Sequence, residues 1–155
     1  MATPKQQLGD RGEKAVCKRA ACPECGRVGQ LRQLKNNFEC VDVICKFCGC
    51  LGQVKSVRLK AGSDQFPPAI LGAAWGPQSE RMNAEVFHGL YLVGYRPNGK
   101  TLVRIDYVPP AILSANREVF QPRKPLGPKA KRSGWQGFNL HLAGIPGGAM
   151  TRIFP

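Results

Sequence analysis

Two cysteine pairs constrain this chain more than any other feature. Cys22 and Cys25 bracket Pro23-Glu24, Cys45 and Cys48 bracket Lys46-Phe47, and residues 26–44 separate the pairs. The resulting C-x2-C-x19-C-x2-C spacing falls inside the window of a four-cysteine zinc site. Two thiolates two residues apart grip one ion from a tight turn, and two such turns complete a tetrahedron. Gly26 and Gly49 stand where each turn would close. Four protein ligands leave no open position, so the implied Zn2+ is structural. Such an ion contributes roughly 10–16 kcal/mol apparent, against about 5–15 kcal/mol for a whole domain. A pair of redox dithiols is the alternative that this spacing leaves open. Cys50 offers a C-x-C substitute for Cys48; otherwise Cys17, Cys40 and Cys50 read as small buried apolar side chains.

The 155 residues, 43% of them hydrophobic, suit one packed domain spanning 1–155. Its 18 glycines and 13 prolines fall short of low-complexity composition, about 25–30%, and imply many turns. No apolar run approaches the roughly 18 residues of a membrane span. The start, MATPKQQLGD, lacks the apolar stretch of a signal peptide. These points predict a cytoplasmic protein without a membrane partner, whose cysteines stay reduced.

The local pattern predicts an α+β fold, a small mixed sheet with a few helices. Asp10–Ala20 reads as the first helix, with Asp10 as N-cap and Glu13 closing a capping box. Val28–Leu34 and Phe38–Ile44 read as strands around a turn at Lys35–Asn37, and Leu51–Leu59 as a third strand. Phe66–Trp75 opens with prolines and reads as a short helix, followed by a polar connection, Gly76–Asn83. Phe87–Tyr95 and Lys100–Val108 flank Asn98-Gly99, a strong hairpin signal. Pro109–Ser114 reads as a helical turn, Gln121–Gly134 as a basic loop and Gly137–Leu142 as the last strand.

Charge points to a partner. Lysine and arginine number 23 against 10 acids, for a net charge of +13. No acid falls between Asp42 and Asp64, and none follows Glu118, where Arg123, Lys124, Lys129, Lys131, Arg132 and Arg152 stand unopposed. An excess of this kind favours a polyanion, because each neutralised phosphate releases counterions. Nucleic acid fits better than a membrane surface. A merely solubilising surface would mix both signs.

The zinc segment carries a second pattern. Gln53 and Lys55, two residues apart on a strand, share one face. If the second knuckle is a turn, Asp42 on the preceding strand comes opposite them. A carboxylate and an amide oxygen can ligate Mg2+. The ion would acidify a water and polarise a phosphoryl oxygen, while the lysine stabilises the growing charge. Glu13 is a candidate outer ligand or water-positioning group. Polar residues on a surface strand are the plainer reading of the same pattern.

Several stretches resemble the DpnI-type restriction endonucleases, which include the Dam-replacing proteins. The order CPEC…VDVICKFC…QVKS is similar to that family's CPxC…AD-x-x-C-x-x-C…E-x-K, and RKPLGPKAKRSGWQGFNL, Arg123–Leu140, resembles its RKPLxPxARRxGWxGxN stretch. The resemblance implies a PD-(D/E)xK, restriction-endonuclease-like core with an inserted four-cysteine zinc site. Asp42, Gln53 and Lys55 fall on its catalytic positions. It also implies a Mg2+-dependent endonuclease for double-stranded DNA, with adenine-methylated DNA as the family's substrate. Trp135 falls in a DNA-facing loop, against bases or a methylated adenine. Val41 replaces the signature proline, Gln53 replaces the acid, and the sequence ends at Pro155 without the family's C-terminal winged-helix module. A non-catalytic zinc-ribbon DNA-binding module, a degenerate nuclease, is the alternative; an RNA-directed protein is a third. His88 and His141 lack spaced partners and read as structural, and Tyr91, Tyr95 and Tyr107 as packing residues.

Overall fold

The computed structural model describes residues 1–35 and 40–155. Helix α1, Pro4–Arg19, starts six residues before the expected Asp10. Thr3 is its N-cap: the Thr3 hydroxyl accepts from the Gln6 N–H, and the Gln6 side chain reciprocates. Asp10 and Glu13 therefore sit inside the helix. Pro4 occupies the first turn, where a missing N–H costs nothing. Leu8, Gly12 and Val16, four apart, form the buried stripe.

Three strands build the zinc segment: β1, Leu31–Gln33; β2, Val43–Cys45; and β3, Leu51–Arg58. The first is shorter than expected, because the first knuckle takes Val28–Gln30 into its loop, and the second begins only at Val43 and runs on to Cys45. Residues 36–39, which include most of the expected turn and the start of the expected Phe38–Ile44 strand, lie outside the described residues. All three strands pair antiparallel, with Val43 opposite Gly52.

Beyond β3 the order departs from expectation. Ala69–Ala74 is strand β4 and Trp75–Asn83 is helix α2, so the anticipated helix and connection are exchanged. Burial alternates along Ile70, Leu71, Gly72 and Ala73, the period of a strand. In α2 the buried Gln78 and Met82 are four apart. Strands β5, Gly89–Tyr95, and β6, Leu102–Val108, form the expected hairpin. Strand β5 runs parallel to β3, which requires a long crossover; β4 and α2 supply it. Arg96 Nη1 pairs with Asp64 at 2.9 Å, and Arg104 donates to the Asp64 carbonyl, pinning the crossover's start.

Helix α3, Pro110–Ala115, precedes β7, Phe120–Pro122, and β8, Gly137–His141. A further strand follows: β9, Thr151–Phe154, pairs with β6, so β8 is not the last. The described residues form two sheets rather than one, ordered β1-β2-β3-β5-β6-β9 and β4-β8-β7.

Two cores flank the large sheet. Leu8, Val16, Val54, Tyr91, Tyr95 and Tyr107 pack beneath α1, so the three tyrosines are packing residues. Leu90, Leu92, Val108, Ile70, Phe138 and Leu140 fill the opposite side, against the small sheet. Strand alternation divides β5 between the two: odd residues face α1, even residues the small sheet. Odd residues of β3 face the small sheet, and this aims Gln53 and Lys55. Among the described residues no helix is long and apolar enough to cross a membrane.

Candidate active site and metal centre

The two knuckles repeat one backbone device. The Gly26 N–H donates to the Cys22 carbonyl and the Gly49 N–H to the Cys45 carbonyl, at 2.8 and 2.9 Å. The Cys22 and Cys45 N–H groups donate to the carbonyls of Arg27 and Cys50. Both glycines have positive φ, 72° and 80°, where a side chain would be strained. The turns bring the thiols of Cys22, Cys25, Cys45 and Cys48 within 4.8 Å of one another. Cys22 and Cys48 sulfurs lie 3.5 Å apart, and Cys25 and Cys45 sulfurs 3.8 Å. Four sulfurs about 2.3 Å from one ion stand about 3.8 Å apart in a tetrahedron. The donor set thus fits Zn2+ and suggests zinc binding. The backbone N–H of Cys48, and after it that of Phe47, holds the Cys45 thiol down to about 7 against burial, favouring the thiolate a metal needs. Cys50 stands outside the set and packs, with Cys17, against the core under α1.

The second knuckle is the turn between β2 and β3, and it folds Asp42 back onto β3. The Asp42 N–H donates to the Gly52 carbonyl at 2.9 Å, and Asp42 Oδ2 accepts from the Val54 N–H at 2.7 Å. The carboxylate is therefore fixed between Gln53 and Lys55. Asp42, Gln53 and Lys55 line one recess of about 270 Å3, shared with Cys40, Pro77 and Arg81. Asp42 and Lys55 also line an adjoining cleft of about 390 Å3 with Lys5, Glu13, Arg132 and Trp135.

Burial and charge oppose each other here. Burial pushes the Asp42 carboxyl up, while the Val54 N–H and the Lys55 ammonium pull it down. Burial pushes the Lys55 ammonium down, and Asp42 and Glu13 partly restore it. Glu13 is also raised, by burial first and then by Asp42 and Asp10, against the hydrogen bond from Gln33. Each group perturbs the next, so the structure does bring Glu13, Asp42 and Lys55 together. Gln33, on β1, ties Glu13 in place: its Nε2 donates to Glu13 Oε2 at 2.6 Å and to Asp10 Oδ1 at 2.8 Å. Perturbed, interacting groups in a cleft mark functional sites more often than chance.

The basic segment after β7 is a loop, as expected, and turn hydrogen bonds hold it as an arm. Arg123 N–H donates to the Gly137 carbonyl, Leu126 N–H to Trp135, and Gly134 N–H back to Leu126. These bonds extend the β7–β8 hairpin outward. Arg123, Lys124, Lys129, Lys131 and Arg132 are all exposed. Half-buried Trp135 lies against Gly137, and the Arg132 guanidinium stacks on its indole, 4.4 Å from the ring centre. The two motifs that carry the family likeness thus meet at one cleft.

Lys5 and Arg81, which line these spaces, and Gln33, which braces Glu13, were missed by sequence reasoning. Lys5 and Gln33 belong to a helix turn and a strand whose bounds were misjudged, and Arg81 to a helix read as a connection. His88 is half-buried, and burial first and then Arg81 push its pKa down; His141 ends β8. Neither enters a cluster of potential metal ligands among the described residues.

A four-cysteine hairpin carrying an acid, an amide and a lysine, overhung by a cationic arm, defines an α+β protein whose thiols suit a metal ion and whose surface suits nucleic acid. The comparison with protein families gives the class a narrower address. Residues 5–154, nearly the whole chain, match the DpnI family, described as the Dam-replacing family, and the chain belongs to it. Membership suggests a restriction-type nuclease acting on methylated DNA and makes DNA a plausible partner.

Proposed function

We propose that this chain is a single zinc-containing domain with a PD-(D/E)xK-type core, a Mg2+-dependent endonuclease that cuts adenine-methylated double-stranded DNA. One observation carries the reading. Asp42 and Lys55 line both a recess with Gln53 and a cleft with Arg132 and Trp135, so hydrolytic and DNA-facing groups share one space.

Asp42 and Gln53 would hold a divalent cation through carboxylate and amide oxygens; when bound, it acidifies a water and polarises a phosphoryl oxygen. The chain's own groups prepare the rest. The Val54 N–H fixes Asp42, so the carboxylate's aim follows from strand pairing and needs no reorganisation. Lys55, desolvated and facing Asp42, donates to the phosphoryl oxygen on which charge accumulates. Glu13, steadied by Gln33, orients water at the mouth of the cleft. The arm cations Arg123, Lys124, Lys129, Lys131 and Arg132 hold the backbone of the duplex. Trp135 reaches the bases, where a methylated adenine would lie against its indole.

The test incubates zinc-loaded protein with adenine-methylated and unmethylated plasmid, with and without Mg2+. The proposal expects Mg2+-dependent cutting of the methylated plasmid. Lys55→Ala should lower the rate at least about 100-fold while DNA affinity changes little. A Lys55→Ala protein that still cuts would sink the site assignment.

One observation favours the second reading, a non-catalytic DNA-binding module. Gln53 carries no charge, and among the described residues the zinc thiols are the sole group of three or more His, Cys, Asp or Glu ligand atoms in mutual reach. Tight binding with no cleavage under any divalent ion would establish that reading.

A further inference from the structure

We propose that Arg81, in the last turn of α2, anchors the substrate phosphate at the recess formed by Asp42, Gln53 and Lys55. The inference rests on the nuclease reading and deepens it by naming the group that binds the anion. Arg81 lines the same recess as those three residues. Its guanidinium is held in place: Nη2 donates to Gln78 Oε1 at 3.1 Å, and Gln78 is only 5% exposed. A buried amide has little freedom, so the guanidinium is aimed rather than free to swing.

Its charge is left unanswered. Among the described residues no carboxylate forms an ion pair with Arg81. Of its acidic neighbours in sequence, Glu85 is taken by Arg117, and Glu80 is exposed. Arg81 instead shares the recess with another cation, Lys55. Two cations lining one recess repel each other unless an anion joins them. Among the described residues Asp42 is the one carboxylate lining that recess, against two cations.

A phosphodiester supplies what is missing. Its two non-bridging oxygens match the planar fork of a guanidinium, which donates two parallel N–H bonds. The neutral Gln53 then acquires a use. A second carboxylate in the recess would repel the incoming phosphate, whereas an amide does not. The chain has exchanged part of its metal affinity for direct phosphate affinity, and phosphate capture at this recess does not wait for Mg2+.

The experiment compares wild type, Arg81→Ala, Arg81→Lys and Lys100→Ala, the last an exposed lysine in the β5–β6 turn. Each is first checked for one zinc per chain and an unchanged melting temperature. In Mg2+-free buffer with zinc retained, duplex affinity is measured against salt. Arg81→Ala should lose about one phosphate contact, a fall of about 0.9 in the log–log slope; Arg81→Lys should keep the slope. With Mg2+ and methylated plasmid, kcat/KM should fall roughly 100-fold in Arg81→Ala, with KM raised as well as kcat lowered. Arg81→Lys should recover only part of that loss, because it restores charge without the fork. Lys100→Ala should match wild type in both assays. An Arg81→Ala protein with wild-type slope, or one that cuts at the wild-type rate, overturns the inference. If wild type does not cut, the nuclease reading falls, and a lowered Arg81→Ala slope still supports the phosphate anchor.

Discussion

Gln53 stands where the family pattern places an acid, and its environment gives the substitution a physical meaning. Its side-chain oxygen can ligate a cation but brings no charge, while Asp42 beside it is already pushed toward the neutral form by burial. A carboxylate added here would raise cation affinity and worsen repulsion in its absence. Gln53→Glu should therefore lower the half-saturating Mg2+ concentration for cleavage by roughly tenfold. The same variant should melt at a lower temperature than wild type without Mg2+ and recover on its addition. An unchanged Mg2+ dependence would mean that the Gln53 side chain does not touch the cation.

At the scale of elements, the zinc hairpin, the α1–β3 contact and the basic arm each make a separate statement. The second knuckle closes the β2–β3 turn, so an ion held by the four thiols would also set Asp42 against β3. Chelation should release one zinc per chain and unfold the hairpin lobe, because the ion contributes about as much as a domain's whole stability. Metal content with circular dichroism before and after chelation checks this; a metal-free, fully folded protein would refute it. Helix α1 lies so close to β3 that a Cβ at Gly12 would stand 1.8 Å from Ser56 Oγ. Gly12→Ala should destabilise by about 1–3 kcal/mol in urea unfolding. Ser56→Ala removes a buried hydroxyl without a partner and should offset much of that cost in the double variant. If the two costs simply add, α1 does not sit on β3 in this way. In the arm, Lys129→Ala with Lys131→Ala should reduce the salt slope of DNA binding by about two phosphate contacts. An unchanged slope would place the arm away from DNA.

Across the whole molecule, the sequence discloses what depends on spacing and conceals what depends on tertiary partners. The zinc ligands are legible because C-x2-C geometry is local, and Asp42, Gln53 and Lys55 follow once that knuckle is read as a turn. The basic arm is legible as charge, but its order comes from β7–β8 pairing that no local signal announces. Phe66–Trp75 misleads because Pro67-Pro68 imitates a helix start. The alternation of Ile70 and Gly72 with Leu71 and Ala73 is the truer signal, and it gains meaning only when a second sheet covers it. Helix α2 is hidden because just Gln78 and Met82 are buried, so Arg81 could not be placed beside Lys55. The start of α1 was obscured by Gly9, a poor helix former, whereas Gly12, inside the expected helix, is small because β3 lies against it. The central claim is that one cleft unites hydrolysis and DNA contact. It is tested most directly by Mg2+-dependent cleavage of adenine-methylated plasmid by wild type and Lys55→Ala. The account predicts cutting by wild type, none by Lys55→Ala, and nearly equal DNA affinity for the two. Tight binding by wild type with no cleavage under any divalent ion would contradict it.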